Sequence, residues 1–122
     1  MDYENIKRIE ASVWGYFGSS YNVEVDLLNG KVIWSEGLYK VSEYVKQADT
    51  ESMNTFIYGI NNCRILNWEK NYNNLNILDG THWSLKIELD DRIIEKSGSN
   101  AYPNEWEKFC NIIQKLTGKP FD

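Results

Sequence analysis

Ile9, Ala11 and Val13 alternate with Glu10, Ser12 and Trp14, the two-residue period of a strand that buries one face. Gly18, Ser19 and Ser20 predict a turn, after which Val23, Val25 and Leu27 alternate with Asn22, Glu24 and Asp26. Asn29-Gly30 then stands between two alternating runs, the pattern of a type I′ hairpin, since both residues tolerate the positive φ it requires. With Asn29 and Gly30 as the turn, Leu27 faces Val32 and Val25 faces Trp34. A three-residue loop at 18–20 sets Val13 opposite Val25 and Ala11 opposite Leu27, so every large apolar side chain of three antiparallel strands shares one face.

Between residues 38 and 62 the period becomes helical: Val41, Tyr44, Val45 and Ala48, then Met53, Phe56, Ile57 and Ile60. Asp49 or Thr50 is placed to cap the second run, and Gly59 weakens its last turn by about 1 kcal/mol relative to Ala. Whether residues 42–48 form a separate short helix is open. The Asn-rich stretch 71–80 reads as a loop.

Asp79-Gly80 predicts a turn into Trp83, Leu85, Ile87 and Leu89, which alternate with His82, Ser84, Lys86 and Glu88. With Asp90 and Asp91 as a tight turn, Ile87 faces Ile94 and Lys86 faces Glu95, a favourable cross-strand charge pair. Asn104 followed by Glu107 makes an Asn-led capping box after Pro103. Trp106, Phe109, Cys110, Ile113 and Leu116 form one apolar stripe, and Gly118 and Pro120 end the helix. Each of the runs 23–27 and 85–89 is thus followed by a turn, a second strand and an amphipathic helix. The expected architecture is α+β in a single domain over residues 1–122: one strand plus two ββα units, giving an antiparallel sheet of about five strands covered on one face by two main helices.

Composition narrows the setting. A 42 % apolar fraction, five Trp and eight Tyr across 122 residues support a packed core, and only the chain ends read as loose. A net charge of −5 with scattered Lys and Arg disfavours a nucleic-acid partner, whose phosphates call for clustered cations. No apolar h-region opens the chain and no run approaches a membrane span, so the expectation is a cytoplasmic protein with no membrane partner and with Cys63 and Cys110 as reduced, buried thiols.

The residues that carry chemistry make no catalytic, metal or cofactor constellation. The single histidine, His82, falls on the solvent face of a strand, and two distant cysteines lack the clustered spacing of a zinc site. Carboxylates such as Glu24 and Asp26 lie on the outer face, where solvated charge is the ordinary role. More informative are Trp14 and Tyr16, which strand parity turns outward beside Asn22 and Glu24, with Ile33 nearby and Ser35 opposite Glu24; exposed aromatics among polar neighbours serve protein-binding surfaces as anchors. At the corner 98–103, Gly98 permits a positive φ or a bulge and Asn100 tolerates the left-handed region. Ser99, Asn100 and Tyr102 are therefore candidates for a small ligand, with backbone N–H groups near the last helix available to an anion.

Trp83-Ser84-Leu85-Lys86-Ile87 and Ser97-Gly98-Ser99-Asn100-Ala101-Tyr102-Pro103, with Trp68, Tyr72 and Asp79-Gly80 before them, resemble a group of small uncharacterised bacterial proteins over residues 68–116. The resemblance implies a bacterial or mobile-element setting and a strand, strand, helix ending, and transfers no catalytic residue. Three functional readings follow. The first is a small non-enzymatic protein-binding domain acting through the outer face, of the immunity or inhibitor kind found in bacterial or phage conflict. The second is a small-ligand or enzymatic domain at the corner 98–102, and the third a homodimer or larger homo-oligomer whose outer faces pair.

Overall fold

A computed structural model describes residues 2–15, 20–37, 42–74 and 80–122. Tyr16, Val41, most of the turn expected at 18–20 and Asp79 of the turn expected at 79–80 lie outside the described residues. The strands are β1 (Ile6–Gly15), β2 (Tyr21–Asp26), β3 (Lys31–Glu36), β4 (Ser42–Gln47), β5 (Asn71–Asn73), β6 (Thr81–Leu89) and β7 (Ile93–Ser99); the helices are α1 (Thr50–Asn62) and α2 (Trp106–Thr117). The class is α+β as expected, but the sheet has seven strands in the order β4-β3-β2-β1-β6-β7-β5, all antiparallel except the β5 and β7 pair.

Two elements account for the larger sheet. Residues 42–47, which carried a helical spacing, form the edge strand β4 against β3, with Tyr44 beside Trp34 and Val45 beside Ile33. Both faces of this strand are largely exposed, so burial imposed no two-residue period on it. Tyr44 and Val45 still favour extended backbone. The Asn-rich stretch likewise contains β5, three residues that run parallel to β7 through Asn71/Ser97, Tyr72/Gly98 and Asn73/Ser99.

Beyond an irregularity between Ile6 and Arg8 that turns Ile6 into the core, the parity expected of the long strands holds, while two registers differ from expectation. Val25 lies opposite Val32 and Val23 opposite Trp34, because the Asp26 carboxylate accepts from the Leu28 and Asn29 N–H groups at 3.0 and 3.1 Å and from the Asn29 side chain at 2.9 Å. This Asx arrangement draws Leu27 and Leu28 into a longer turn, closed by Gly30 N–H to Asp26 O at 2.8 Å with Gly30 at φ +78°. Between β1 and β2, Ile9 faces Val25, Ala11 faces Val23 and Val13 faces Tyr21, in place of the pairs Val13/Val25 and Ala11/Leu27. Both displacements are even, so the apolar residues keep their face. At β6 and β7 the expected pairs Ile87/Ile94 and Lys86/Glu95 are both present.

The core lies between the sheet and the helices. Ile9, Val25, Trp83, Leu85 and Ile87 from the strands meet Phe56 and Ile60 of α1 and Phe109 and Ile113 of α2 in one buried cluster. Asp49 caps α1 by accepting from Ser52 N–H at 2.7 Å. Gly59 is where the two helices approach, since a Cβ there would sit 2.8 Å from Ile112 Cδ1. The α2 cap differs from expectation: the helix begins at Trp106 after Glu105, Trp106 N–H donates to Pro103 O at 3.1 Å, and Asn104 is exposed in the preceding turn. Gly118 ends α2 in the left-handed region, with its N–H on Gln114 O at 2.8 Å. The C-terminus is not loose, for Phe121 is 0 % exposed and Trp34 Nε1 donates to Pro120 O at 2.7 Å. Lys96 enters from the inner side of β7, 7 % exposed, and donates to Leu66 O at 3.1 Å and to Trp68 O, fastening the segment after α1 to the sheet. Burial lowers the pKa of its ammonium, which the two carbonyls stabilise.

Candidate functional site

Both helices pack on one face, so the even-numbered residues of β1 from Arg8 onward, those of β2 and β6, and the odd-numbered residues of β3 and β7 make up the other. The register aligns their side chains in rows across the sheet. One row runs Ser97, Ser84, Ser12, Asn22, Ser35, and the next runs Glu95, Lys86, Glu10, Glu24, Ile33, Val45. The first joins directly, Ser12 Oγ donating to the Asn22 side-chain oxygen.

Trp14 stands at the β1 end of this face, half-buried and opposite His82. Their rings stack at 5.7 Å with 29° between planes, and His82 Nδ1 lies 2.8 Å from Ser99 Oγ. Trp14, His82 and Ser99 therefore form one transverse chain over β1, β6 and β7. Beside it an open depression of about 500 Å³ is lined by Glu10, Ser12, Trp14, Asn22, Glu24 and Ser84 among others. A second depression of about 520 Å³ shares Glu10, Ser12 and Ser84 and continues toward Lys86, Glu95 and Ser97.

The electrostatic centre is the facing pair Glu10 and Glu24. Their carboxyl groups hydrogen-bond to one another, which with burial and the charge of Glu24 raises the Glu10 pKa above the ordinary glutamate value, against the opposing pull of Lys86 and Arg8. Arg8 also reaches Glu24 at 3.4 Å. Sharing a proton, the pair offers a donor and an acceptor to a polar partner; fully ionised, it offers a paired charge to a cationic one.

Of the residues singled out by sequence, Trp14, Asn22 and Glu24 come together around the first depression. Ile33 faces Glu24 one strand further out, and Ser35 faces Asn22 rather than Glu24. Tyr16 lies outside the described residues. Glu10, Ser12 and His82 complete the site; strand parity had put them on this face, but only cross-strand pairing joins them to Trp14.

The corner after β7 is engaged in the fold. Asn100, at φ +59°, donates its N–H to Thr81 O at 2.8 Å, and its side-chain oxygen accepts from Thr81 N–H at 2.8 Å. Tyr102 is exposed with its ring 5.6 Å from that of Trp106. Gly98 does not take a positive φ; its lack of a side chain admits Trp83, whose Nε1 donates to Ala101 O at 2.9 Å. Cys63 and Cys110 are free thiols in the core, and burial pushes Cys63 up to about 11. Among the described residues no three His, Cys, Asp or Glu side chains are grouped to hold a metal, and no helix is long and apolar enough to cross a membrane. No protein-family model matches the chain, and no curated protein matches it either.

Proposed function

We propose that this chain is a non-enzymatic protein-binding domain that engages its partner through the sheet face opposite the helices, in the manner of an immunity or inhibitor protein. The observation that carries this reading is the position of Trp14. It is a half-buried indole held against His82 at the rim of a broad, shallow polar depression, on the face that α1 and α2 leave uncovered. A rigid aromatic ringed by Ser12, Asn22, Glu10 and Glu24 combines an anchor of the kind enriched at binding hot spots with a polar rim of hydrogen-bonding groups. The open form of the depression suits a protein surface better than an enclosed small molecule. The acidic balance, −5 over the chain, favours a partner with a basic patch.

The test is affinity capture from the native host followed by measurement on Trp14→Ser. Stability in urea is expected to fall by about 1 kcal/mol through lost cross-strand contact, whereas partner affinity should fall by about 2 kcal/mol or more. Unchanged affinity for an identified partner would move the binding surface elsewhere. A stability loss of roughly 3 to 5 kcal/mol would make Trp14 a core residue instead.

A further inference from the structure

The two ends of the sheet are unlike. β5 closes one end with three residues in parallel pairing, while β4 closes the other with six in antiparallel pairing. The phase of the β4 ladder is set by Ala48 N–H donating to Gly30 O at 2.8 Å. Hydrogen-bonded and non-hydrogen-bonded pairs alternate along an antiparallel ladder, so Ser42, Tyr44 and Lys46 direct their main-chain groups at β3, and Glu43, Val45 and Gln47 direct theirs away from the sheet. Native edges are commonly guarded by a lysine. Here Lys46 is turned inward, its Nζ on Leu116 O at 2.8 Å, and Val45 and Tyr44 are left 52 % and 37 % exposed.

We infer that β4 pairs antiparallel with β4 of a second copy of this chain across a two-fold axis through Val45, joining the two sheets into one. The strand is complementary to itself in that register and poorly so in its neighbours. Val45 meets Val45 of the second copy, and Glu43 meets Gln47, whose amide nitrogen carries a hydrogen beyond the one given to Asn29 O at 2.5 Å. Tyr44 meets Lys46 on the helix side. Centring the axis on Tyr44 would set the Glu43 carboxylate against Val45, and centring it on Lys46 would set Val45 against the Gln47 amide. Because paired residues keep their parity, both helix layers fall on the same side of the joined sheet. The outer face described above remains open on both copies, so the pairing is independent of the binding proposed there. A closed two-fold contact also consumes the β4 edge on both copies and leaves only the three-residue β5 at either end of the joined sheet.

Sedimentation equilibrium on the full chain tests this. A concentration-dependent dimer is expected at or below about 1 mM, the weak end of specific association. Val45→Lys and Val45→Glu, each placing like charges on the axis, should weaken it about 100-fold, and mixing the two variants should restore a heterodimer. Far-ultraviolet circular dichroism of each variant should match the parent, since residue 45 is exposed. A strictly monomeric parent at that concentration overturns the inference, as does a dimer indifferent to Val45→Lys or a pair of folded variants that fails to associate on mixing.

Discussion

Trp83 lays its indole across Gly98 of the neighbouring strand so closely that a Cβ at position 98 would lie 2.2 Å from Trp83 Nε1 and 2.7 Å from Ala101 O. The same indole nitrogen donates to Ala101 O, and its ring lies 4.9 Å from Trp106 and 5.8 Å from Trp68. One absent side chain thus lets β7, the corner after it and the start of α2 close on a single aromatic group. Gly98→Ala is expected to destabilise the domain by roughly 1 to 3 kcal/mol, because neither the ring nor the carbonyl can withdraw without breaking their hydrogen bond. Urea unfolding measures this, and an unchanged midpoint would show that the corner yields freely.

Glu10 supplies a pH dependence of definite sign. Its pKa is raised in the folded protein, chiefly by the hydrogen bond with Glu24, so the folded state holds a proton there that the unfolded chain has released. Stability from this group is therefore complete below the ordinary glutamate value and is lost as pH rises through the raised folded value. Glu10→Gln keeps an amide donor toward Glu24 and removes the charge conflict. Its unfolding midpoint should match the parent at acid pH and exceed it increasingly as pH rises through that window. A difference that does not vary with pH would mean that the two carboxyl groups are not coupled.

The two helix starts separate two residues that look alike in sequence. Asp49 accepts from Ser52 N–H, and that bond lowers its pKa. Asp49→Ala should lower the urea midpoint at neutral pH. The difference should shrink as pH falls through the depressed folded value, where the parent loses the same charge. Asn104→Ala should change stability by less than about 0.5 kcal/mol, since residue 104 lies in a turn ahead of α2. A larger loss at Asn104 than at Asp49 would place the start of α2 one residue earlier, at Glu105.

The amino-acid sequence by itself determined which side of each long strand is apolar, and therefore which face the helices cover. Alternation is a local property, and the even register displacements at β1/β2 and β2/β3 left it untouched. The β6/β7 register was equally readable, because Asp90 and Asp91 form a tight connection with Leu89 N–H on Arg92 O at 2.8 Å. At β2/β3 the Asp26 carboxylate competed with the Asn-Gly signal by binding the backbone two and three residues on, and won. Only the tertiary structure decided that residues 42–47 are a strand, since an edge strand exposed on both faces carries no burial period and takes its conformation from the free side of β3. It also decided what stands beside Trp14. Parity placed Glu10, Ser12 and His82 on the outer face one strand at a time, but the contacts that make them a site run between strands, and their spacing is set by a register that no single strand encodes.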